Sequence, residues 1–136
     1  GLPEELQTLA SQADVVVNAL PLTSRTVGLF DQAFFDNTKT GAIFISVGRG
    51  ASTDTEALLA ALQAGKLYGA WLDVTDPEPL PADNPLWKMS NVIITPHVSA
   101  ASPGSMQRTA IIAAENLRRY VDGGNLLNVV DMQAGY

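Results

Sequence analysis

Four short apolar runs, separated by stretches of helical or proline-rich character, place the strongest constraint on how this chain can fold. They occupy residues 15–17, 43–47, 69–74 and 91–95. Runs of this length predict strands, and a wholly apolar, β-branched run such as the first predicts a strand buried on both faces. Because helical segments alternate with the runs, we expect a parallel sheet joined by right-handed crossovers.

Start and stop signals for helices stand between the runs. Asp31 is predicted to cap a short helix, and another helix is expected over residues 3–12. Thr53 and Glu56 have the spacing of a capping box, so they predict the start of the helix that follows the second run. Gly65 is predicted to end that helix as its C′ residue, because glycine tolerates the left-handed conformation there.

Prolines and glycines delimit the rest of the chain. Residues 76–81 hold three prolines, which remove backbone donors and fix φ, so this stretch is expected to be neither a helix nor a central strand. Ser102 followed by Pro103 predicts the beginning of a long helix. Gly123 lies where that helix is expected to end, and residues 126–136 show no clear periodicity.

The composition argues against several classes of function. The 136 residues carry a net charge of −6 with no basic run, which makes nucleic acid and anionic membranes poor partners. There is no cysteine, so disulfides, thiolate catalysis and cysteine metal sites are excluded, and we expect no metal centre. No apolar stretch approaches the roughly 20 residues of a membrane span, and no signal-peptide pattern is visible. We therefore expect a cytoplasmic protein.

Three side chains with acid, base or cationic chemistry follow three different predicted strands. Arg49 follows the second run, Glu78 comes shortly after the third, and His97 follows the fourth. In an open parallel sheet the carboxyl ends of the strands share one rim, and ligands bind in the crevice there. A cation, a carboxylate and an imidazole on that rim predict an acid–base enzyme that acts on an acid substrate.

Each of these side chains also has an ordinary structural explanation. Arg49 can present its planar fork to a carboxylate, yet an arginine in a loop is more often simply solvated. His97 is the only histidine and can exchange a proton near neutral pH, although a solitary histidine is often a core residue bonded to a backbone carbonyl. Either Asp76 or Glu78 could face the imidazole and favour its protonated form, or both could be turn residues.

The ends of the first three strands offer weaker signals. Asp73 ends an apolar strand, where its carboxylate needs a partner, either a ligand amide or a neighbouring turn. Leu20 and Pro21 could pack on a flat ring and Thr26 could donate to a phosphate or ribose, unless this is an ordinary β–α loop. The glycines at positions 48 and 50 do not make a dinucleotide fingerprint, because position 53, where the third glycine would lie, is a threonine.

Five motifs stand in a fixed order along the chain. They are Leu20-Pro21-Leu22-Thr23, Ser46-Val47-Gly48-Arg49-Gly50, Leu72-Asp73-Val74, Glu78-Pro79-Leu80-Pro81 and Thr95-Pro96-His97-Val98-Ser99. Together they resemble the D-isomer-specific 2-hydroxyacid dehydrogenases, and the resemblance extends over essentially the whole chain. In that family the acid precedes the proline of Glu-Pro, so the resemblance selects Glu78 over Asp76.

The resemblance implies half of a doubly wound Rossmann-type parallel sheet with covering helices, without the glycine-rich first half that would precede Gly1. Residues 1–122 would be the C-terminal part of the dinucleotide-binding domain, including the returning helix. Residues 123–136 would be a tail on the side of the substrate domain. We expect such a fragment to be inactive alone and to bind dinucleotide poorly. We also expect a homodimer or other self-association, because residues 15–19 would form a bare apolar sheet edge.

The same resemblance implies an oxidoreductase that reduces a small 2-keto acid to a D-2-hydroxy acid with hydride from NADH or NADPH, which the sequence does not distinguish. His97 would act as general acid and base, Glu78 would pair with it, and Arg49 would bind the substrate carboxylate and polarise the keto oxygen. The positions that match the family's cofactor contacts are Leu20, Pro21, Thr26, Val47, Gly48, Arg49, Asp73, His97, Ser99 and Ala100.

Two other classes of function stay open on the sequence. A non-catalytic family member of the corepressor type would sense the dinucleotide while keeping Arg49, Glu78 and His97. A receiver-like signalling domain would instead place its first strand at the centre of the sheet, beside a cluster of acidic residues around a metal. Asp73 is the one acidic strand-end residue that the sequence offers for such a cluster.

Overall fold

Four short strands form the sheet of the first part of the chain. The structure is a computed structural model that describes residues 5–133. The strands are β1 (Val15–Asn18), β2 (Ala42–Ser46), β3 (Leu67–Leu72) and β4 (Val92–Ile94). All three pairs of neighbouring strands are parallel, and the order across the sheet is β1-β2-β3-β4. The predicted α/β fold with a parallel sheet is confirmed.

Helices and short turns connect these strands. The helices are α1 (Leu6–Ala10), α2 (Gln32–Asn37), α3 (Thr55–Gln63) and α4 (Ser105–Val121), with 3-10 turns at Gly50–Ser52 and Pro85–Lys88. α2 joins β1 to β2 and α3 joins β2 to β3, whereas the proline-rich residues 76–81 between β3 and β4 contain neither helix nor strand, as predicted. Over residues 5–133, no helix combines the length and the apolar character that crossing a bilayer requires.

The chain divides into two compact units, Gly1–His97 and Val98–Tyr136. The sheet belongs to the first unit and α4 to the second. This division lies at a different position from the boundary after residue 122, which refers to the domains of longer relatives. That domain assignment stays a prediction.

Aromatic side chains fill the core of the first unit. Phe34 and Phe35 on α2 are fully buried, and the centroids of their rings lie 6.3 and 5.2 Å from that of Phe44 on β2. Phe30 packs edge-on against Phe34 at 4.9 Å, and buried leucines of α3 join the same cluster. Burial of each such side chain stabilises the fold by about 1.5–3 kcal/mol. The cluster therefore fixes α2 and α3 on one face of the sheet.

The opposite face of the sheet is exposed. Val15 and Val17 of β1 are 48% and 57% exposed, and Trp71 and Ile93 on β3 and β4 are both 49% exposed. The register pairs Val17 with Ile45, Ile45 with Trp71 and Trp71 with Ile93, so these side chains form one apolar row across the four strands. The prediction that β1 is buried on both faces is therefore wrong for this chain, because the core of the first unit lies on the other face.

Two of the predicted helix signals are present as expected. Asp31 caps α2 by accepting a hydrogen bond from the backbone amide of Phe34 at 2.8 Å. Gly65 follows the end of α3 with φ +70°, the left-handed conformation that glycine adopts without a steric penalty. These local signals succeed because each depends on residues that are neighbours in sequence.

The predicted capping box at the start of α3 is wrong. Asp54, rather than Thr53, is the N-cap, and its carboxylate accepts from the amides of Glu56 and Ala57, each at 3.0 Å. A carboxylate in this position satisfies two of the free amides of the first turn and complements the positive end of the helix. Thr53 is left with a buried hydroxyl that makes no hydrogen bond within the described residues.

α4 begins slightly later than predicted. Its N-cap is Gly104 and its first residue is Ser105, so the predicted N-cap at Ser102 is wrong. Ser102 instead forms a turn, in which its carbonyl accepts from the amide and the hydroxyl of Ser105 at 3.0 and 2.9 Å. The helix ends at Val121, just before Gly123 with φ +69°, as predicted.

Ion pairs, not burial, characterise α4. No described residue of this helix is buried. The carboxylate of Glu115 accepts from Arg118 at 2.8 Å and from Arg119 at 2.7 Å, and Arg118 also meets Asp122 at 3.0 Å. Hydrogen bonds from Arg118 and then Arg119 lower the pKa of Glu115 from 4.5 to about 2.

Candidate active site at the carboxyl edge of the sheet

The predicted trio of side chains lies at one edge of the sheet. β2, β3 and β4 are adjacent and parallel, so the segments that leave their carboxyl ends begin at the same edge. Arg49 is in the turn after β2, Glu78 is in the proline-rich loop after β3, and His97 is in the turn after β4. The fold therefore brings three distant parts of the sequence to a common rim.

Glu78 and His97 form a direct contact on this rim. Nδ1 of His97 and Oε1 of Glu78 are 2.8 Å apart, and the two side chains are 40% and 43% exposed for His97 and Glu78 respectively. Asp76, the other carboxylate of the loop, is exposed, and its backbone carbonyl accepts from the Thr55 hydroxyl at 2.9 Å. The structure thus selects Glu78 as the partner of the imidazole.

A buried side chain and a backbone hydrogen bond hold the two segments that carry Glu78 and His97. Leu80 is buried in the core, which anchors the proline-rich loop two residues beyond Glu78. The amide of His97 donates to the carbonyl of Thr95 at 3.0 Å, and His97 has φ +54°. A positive φ is uncommon for a residue other than glycine, and such residues cluster at functional sites.

The contact leaves one ring nitrogen of His97 available for chemistry. An ionised Glu78 accepts a hydrogen bond from Nδ1, which fixes the ring orientation and favours the proton on that nitrogen. Nε2 makes no hydrogen bond within residues 5–133 and is the atom that can give a proton to, or take one from, a substrate oxygen. A partly exposed imidazole oriented by a carboxylate is the arrangement that general acid–base catalysis uses.

Arg49 is at the rim but does not touch the pair. Its side chain is exposed, and within the described residues Nη1 donates to the carbonyl of Gly48 at 2.8 Å. The structure therefore brings two of the three predicted side chains into contact and places the third in the neighbouring turn. The other donors of this guanidinium face no partner in the described part of the chain, so they can bind an anion.

The turn around Arg49 packs tightly against its neighbours. A Cβ atom at Gly48 would lie 2.6 Å from the carbonyl oxygen of Leu20, and one at Gly50 would lie 1.8 Å from that of Thr75. Neither distance is sterically tolerable, so glycine is required at both positions. The backbone of Leu20 therefore lies close to Gly48, and the backbone of Thr75 lies close to Gly50.

Asp73 is buried at the end of β3. It is 5% exposed, and one carboxylate oxygen accepts from the hydroxyl of Thr95 at 2.5 Å. Its amide donates to the carbonyl of Ser46 at 2.9 Å, which continues the pairing of β2 with β3. Thr95, which follows β4, therefore supplies a partner that the buried carboxylate requires. Contact between Asp73 and the nicotinamide end of a cofactor stays a prediction.

The loop after β1 has its own hydrogen bonds. The hydroxyl of Thr26 donates to the carbonyl of Pro21 at 2.7 Å and accepts from the amide of Thr23 at 2.8 Å. Thr26 thus organises the loop, whereas the side chain of Leu20 is exposed and Val47 is half-buried. Cofactor binding by these residues and by Gly48 stays a prediction, as it does for Ser99 and Ala100, which are exposed at the start of the second unit.

Sequence reasoning missed a buried polar cluster under the rim. Asn18, at the end of β1, donates from Nδ2 to Ser46 at 3.0 Å and to Ser52 at 2.8 Å. All three residues are essentially fully buried. The signal in the sequence was a polar residue closing an apolar strand, directly after three valines.

A cavity of about 450 Å³ lies elsewhere in the first unit. It is lined by residues of α2 and α3, by Thr40 just before β2, and by residues 64–66 between α3 and β3. It is therefore at the amino ends of the strands and does not serve the rim. Across residues 5–133, no group of three or more histidine, aspartate or glutamate side chains is arranged to hold a metal ion. With β1 at an edge of the sheet, these observations argue against a receiver-like domain.

Known proteins resemble this chain in sequence and in fold. A family profile described as D-isomer specific 2-hydroxyacid dehydrogenase, NAD binding domain, matches residues 2–99. The chain belongs to this family. Glyoxylate/hydroxypyruvate reductase B of Enterobacter sp. (strain 638) is 43% identical over 127 residues, which are 93% of this chain and 39% of the reductase. The chain thus spans about two-fifths of the length of the curated dehydrogenase relatives it matches.

Two solved members of the dehydrogenase family have nearly the same fold. A D-isomer specific 2-hydroxyacid dehydrogenase from Xanthobacter autotrophicus Py2, in complex with NADPH and MES, matches with a TM-score of 0.91 and 41% identity, over 98% of this chain and 54% of that one. An NADPH-dependent glyoxylate/hydroxypyruvate reductase from Sinorhizobium meliloti, in complex with NADP and sulfate, matches with a TM-score of 0.90 and 36% identity, over 98% and 43% of the respective chains.

Two features of the rim are relevant to dinucleotide binding by this dehydrogenase-family chain. The exposed side chain of Leu20 offers an apolar surface to a flat ring, and the buried carboxylate of Asp73 follows β3 at the same edge of the sheet. Contact of Leu20 and Asp73 with the nicotinamide end stays a prediction. The sequence holds no Gly-x-Gly-x-x-Gly turn, which is the usual cradle for the pyrophosphate.

Proposed function

We propose that this chain carries the acid–base half of the active site of a 2-keto acid reductase, with glyoxylate or hydroxypyruvate as substrate and a D-2-hydroxy acid as product. The single observation that carries the proposal is the 2.8 Å contact between Glu78 and His97 on the carboxyl edge of the sheet. The substrates named for the relatives support the choice of a short 2-keto acid. The relatives solved with NADPH or NADP favour the phosphorylated cofactor.

Three residues of the rim, Arg49, Glu78 and His97, have different roles in the proposed reduction. Arg49 binds the substrate carboxylate and polarises the keto oxygen with its free guanidinium donors. When bound, NADPH or NADH would supply the hydride for the keto carbon. His97 gives the proton on Nε2 to the oxygen that becomes the hydroxyl, and Glu78 stabilises the imidazolium through Nδ1. In the direction of oxidation His97 takes that proton back.

Enzyme kinetics test this proposal directly. We would measure reduction of glyoxylate and hydroxypyruvate by the longest natural polypeptide that contains these residues, with NADPH and with NADH. His97→Gln removes the proton donor while retaining a polar side chain, so kcat should fall by about 10²- to 10⁴-fold. Turnover of both keto acids by the His97→Gln variant at the native rate would contradict the assignment.

A matched pair of carboxylate variants tests the role of Glu78. Glu78→Gln removes the charge beside Nδ1 and should lower kcat, because the imidazole loses the carboxylate that orients it. Asp76→Asn removes a carboxylate from the same loop, but Asp76 is exposed and lies outside the contact. It should therefore leave kcat unchanged. Equal losses of kcat in the two variants would show that only the net charge of the loop matters.

The same assay separates the enzyme from a dinucleotide sensor of the corepressor type. Such a sensor would bind the cofactor without reducing any 2-keto acid. For the 136-residue chain alone we expect neither turnover nor tight dinucleotide binding, because no pyrophosphate cradle is present in the sequence. Isothermal titration that gave micromolar affinity for NAD or NADP would contradict this expectation.

Self-association of the chain through β1 is a second proposal. Among residues 5–133, β1 pairs on one side only, with β2, and two of its valines are exposed. A short apolar edge strand recruits another strand unless something covers it. Light scattering should therefore show a dimer at micromolar concentration, and a Val17→Lys variant should shift it towards the monomer. A monomer at all concentrations, with unprotected β1 amides, would contradict the proposal.

A further inference from the structure

A buried side-chain amide lies beneath the rim. Asn18 is 0% exposed, and Ser46 and Ser52, the two serines that accept from its Nδ2, are 1% and 0% exposed. The amide oxygen accepts from the backbone amide of Leu20 at 3.2 Å. Both donors and the acceptor of this side chain are thus paired inside the protein.

Such a cluster needs a physical reason to be present. A buried polar group costs free energy unless it is hydrogen-bonded, and a leucine would fill a similar volume at this position without that requirement. Fully satisfied buried networks specify one arrangement of the surrounding chain, because an alternative arrangement would leave a donor unpaired. Asn18 lies at the end of β1, so the segments that the network fixes are those that its hydrogen bonds reach.

One arm of the cluster reaches the turn of Arg49. The hydroxyl of Ser52 accepts from Asn18 and donates to the carbonyl of Arg49 at 2.6 Å, while the amide of Ser52 donates to the same carbonyl at 3.2 Å. The amide of Val47 donates to the backbone carbonyl of Asn18 at 2.8 Å. Asn18 thus holds the Arg49 turn at both its start and its end.

The other arm reaches the loop that begins at Leu20. The amide oxygen of Asn18 sets the direction of that loop as it leaves β1. The loop then runs against Gly48, where even a Cβ atom would collide with Leu20. One side chain therefore connects the proposed cofactor wall at Leu20 with the proposed substrate-binding turn at Arg49.

We propose that Asn18 is a positioning residue that sets the spacing between the Leu20 loop and the Arg49 turn. The inference rests on the proposed function, in which Leu20 lines the nicotinamide side and Arg49 binds the substrate carboxylate. Asn18 touches neither substrate nor cofactor and acts through Ser52 on one side and through the Leu20 amide on the other.

Three variants separate positioning from a purely structural role, assayed in the longest natural polypeptide that contains these residues. Ser52→Ala removes only the arm to Arg49, so KM for glyoxylate should rise by about 10- to 100-fold while KM for NADPH is unchanged. Asn18→Leu removes both arms, so both KM values should rise. Ser46→Ala removes a buried partner of Asn18 that does not bond to Arg49, so it should lower the melting temperature without changing either KM.

A structural measurement on the 136-residue chain decides the proposal independently of turnover. Residual dipolar couplings of the Arg49 and Gly50 amides report the orientation of the turn. They should change in Ser52→Ala and stay the same in Ser46→Ala. If both variants keep the couplings of the native chain, the positioning role is wrong, even if the longer polypeptide reduces 2-keto acids. If no keto acid is reduced, the proposed function fails while these couplings still decide whether Asn18 orients the turn. Should Asn18→Leu not fold, the two serine variants carry the test.

Discussion

The two units of this chain are ordered by different forces. In Gly1–His97, four phenylalanines and several leucines pack into one buried cluster around the sheet. In Val98–Tyr136, α4 has no buried residue among those described, and its contacts include ion pairs along the helix and a clamp in which Asn116 bonds both the amide and the carbonyl of Leu127. The first unit depends on contacts between distant residues, and the second on contacts between near neighbours in sequence.

This difference predicts different responses to mutation. Loss of a buried side chain removes apolar burial and leaves a cavity, whereas loss of an exposed ion pair removes an interaction that water and salt already weaken. The sheet itself repeats the contrast on a smaller scale, because one face lies in the core and the other holds an exposed apolar row.

The largest effect is expected from Phe44→Ala. Phe44 lies on β2 within about 5 to 6 Å, centroid to centroid, of three other phenylalanine rings. Its truncation should lower the free energy of unfolding of the first unit by about 3–5 kcal/mol. Urea denaturation followed by tryptophan fluorescence measures this unit alone, because both tryptophans, Trp71 and Trp87, belong to it. Tyr120→Ala on exposed α4 is the matched control and should change it by less than about 0.5 kcal/mol.

A pair of aliphatic truncations compares the two faces of the sheet. Leu72 on β3 is 3% exposed, whereas Ile93 on β4 is 49% exposed. Leu72→Ala should therefore cost about 2–5 kcal/mol and Ile93→Ala about 1 kcal/mol, because much less apolar area returns to water. The same denaturation experiment measures both. Equal losses would mean that something covers the exposed row in solution.

The cap of α3 offers a smaller effect. Asp54→Ala leaves two amides of the first turn without their acceptor and should destabilise the first unit by about 1 kcal/mol. Thr53→Val replaces a buried hydroxyl that has no partner among residues 5–133, so it should be neutral or slightly stabilising. If Thr53→Val destabilised the first unit more than Asp54→Ala does, Thr53 would be the N-cap, as the capping box predicted from the sequence requires.

The smallest effect is the response of α4 to acid. The pKa of Glu115 is about 2 in the folded chain, below its ordinary value of 4.5, because Arg118 and Arg119 hydrogen-bond its carboxylate. A lowered folded-state pKa means that this contribution to helix stability is fully present above pH 4.5 and is lost as the pH falls towards 2. Circular dichroism at 222 nm should show an acid-dependent loss that is smaller in Glu115→Gln. An identical loss in both proteins would show that other carboxylates cause it.

Several parts of the site were accessible from the sequence. The placement of Arg49, Glu78 and His97 after three strands follows from the alternation of apolar runs with helices, because parallel strands align their carboxyl ends. The choice between Asp76 and Glu78 did not follow from spacing, since both lie in one loop. It depends on how that loop leaves β3, and the buried side chain of Leu80 anchors it two residues beyond Glu78.

The amino-acid sequence by itself determined the parallel α/β fold, the termini of helices marked by Asp31, Gly65 and Gly123, and the family to which the chain belongs. These features arise from local preferences and from the periodicity of apolar residues. Only the tertiary structure decided which face of β1 is exposed, that Nη1 of Arg49 bonds to its own turn, and that Asn18 joins two segments of the rim. These depend on contacts between residues far apart in sequence, which no local pattern encodes.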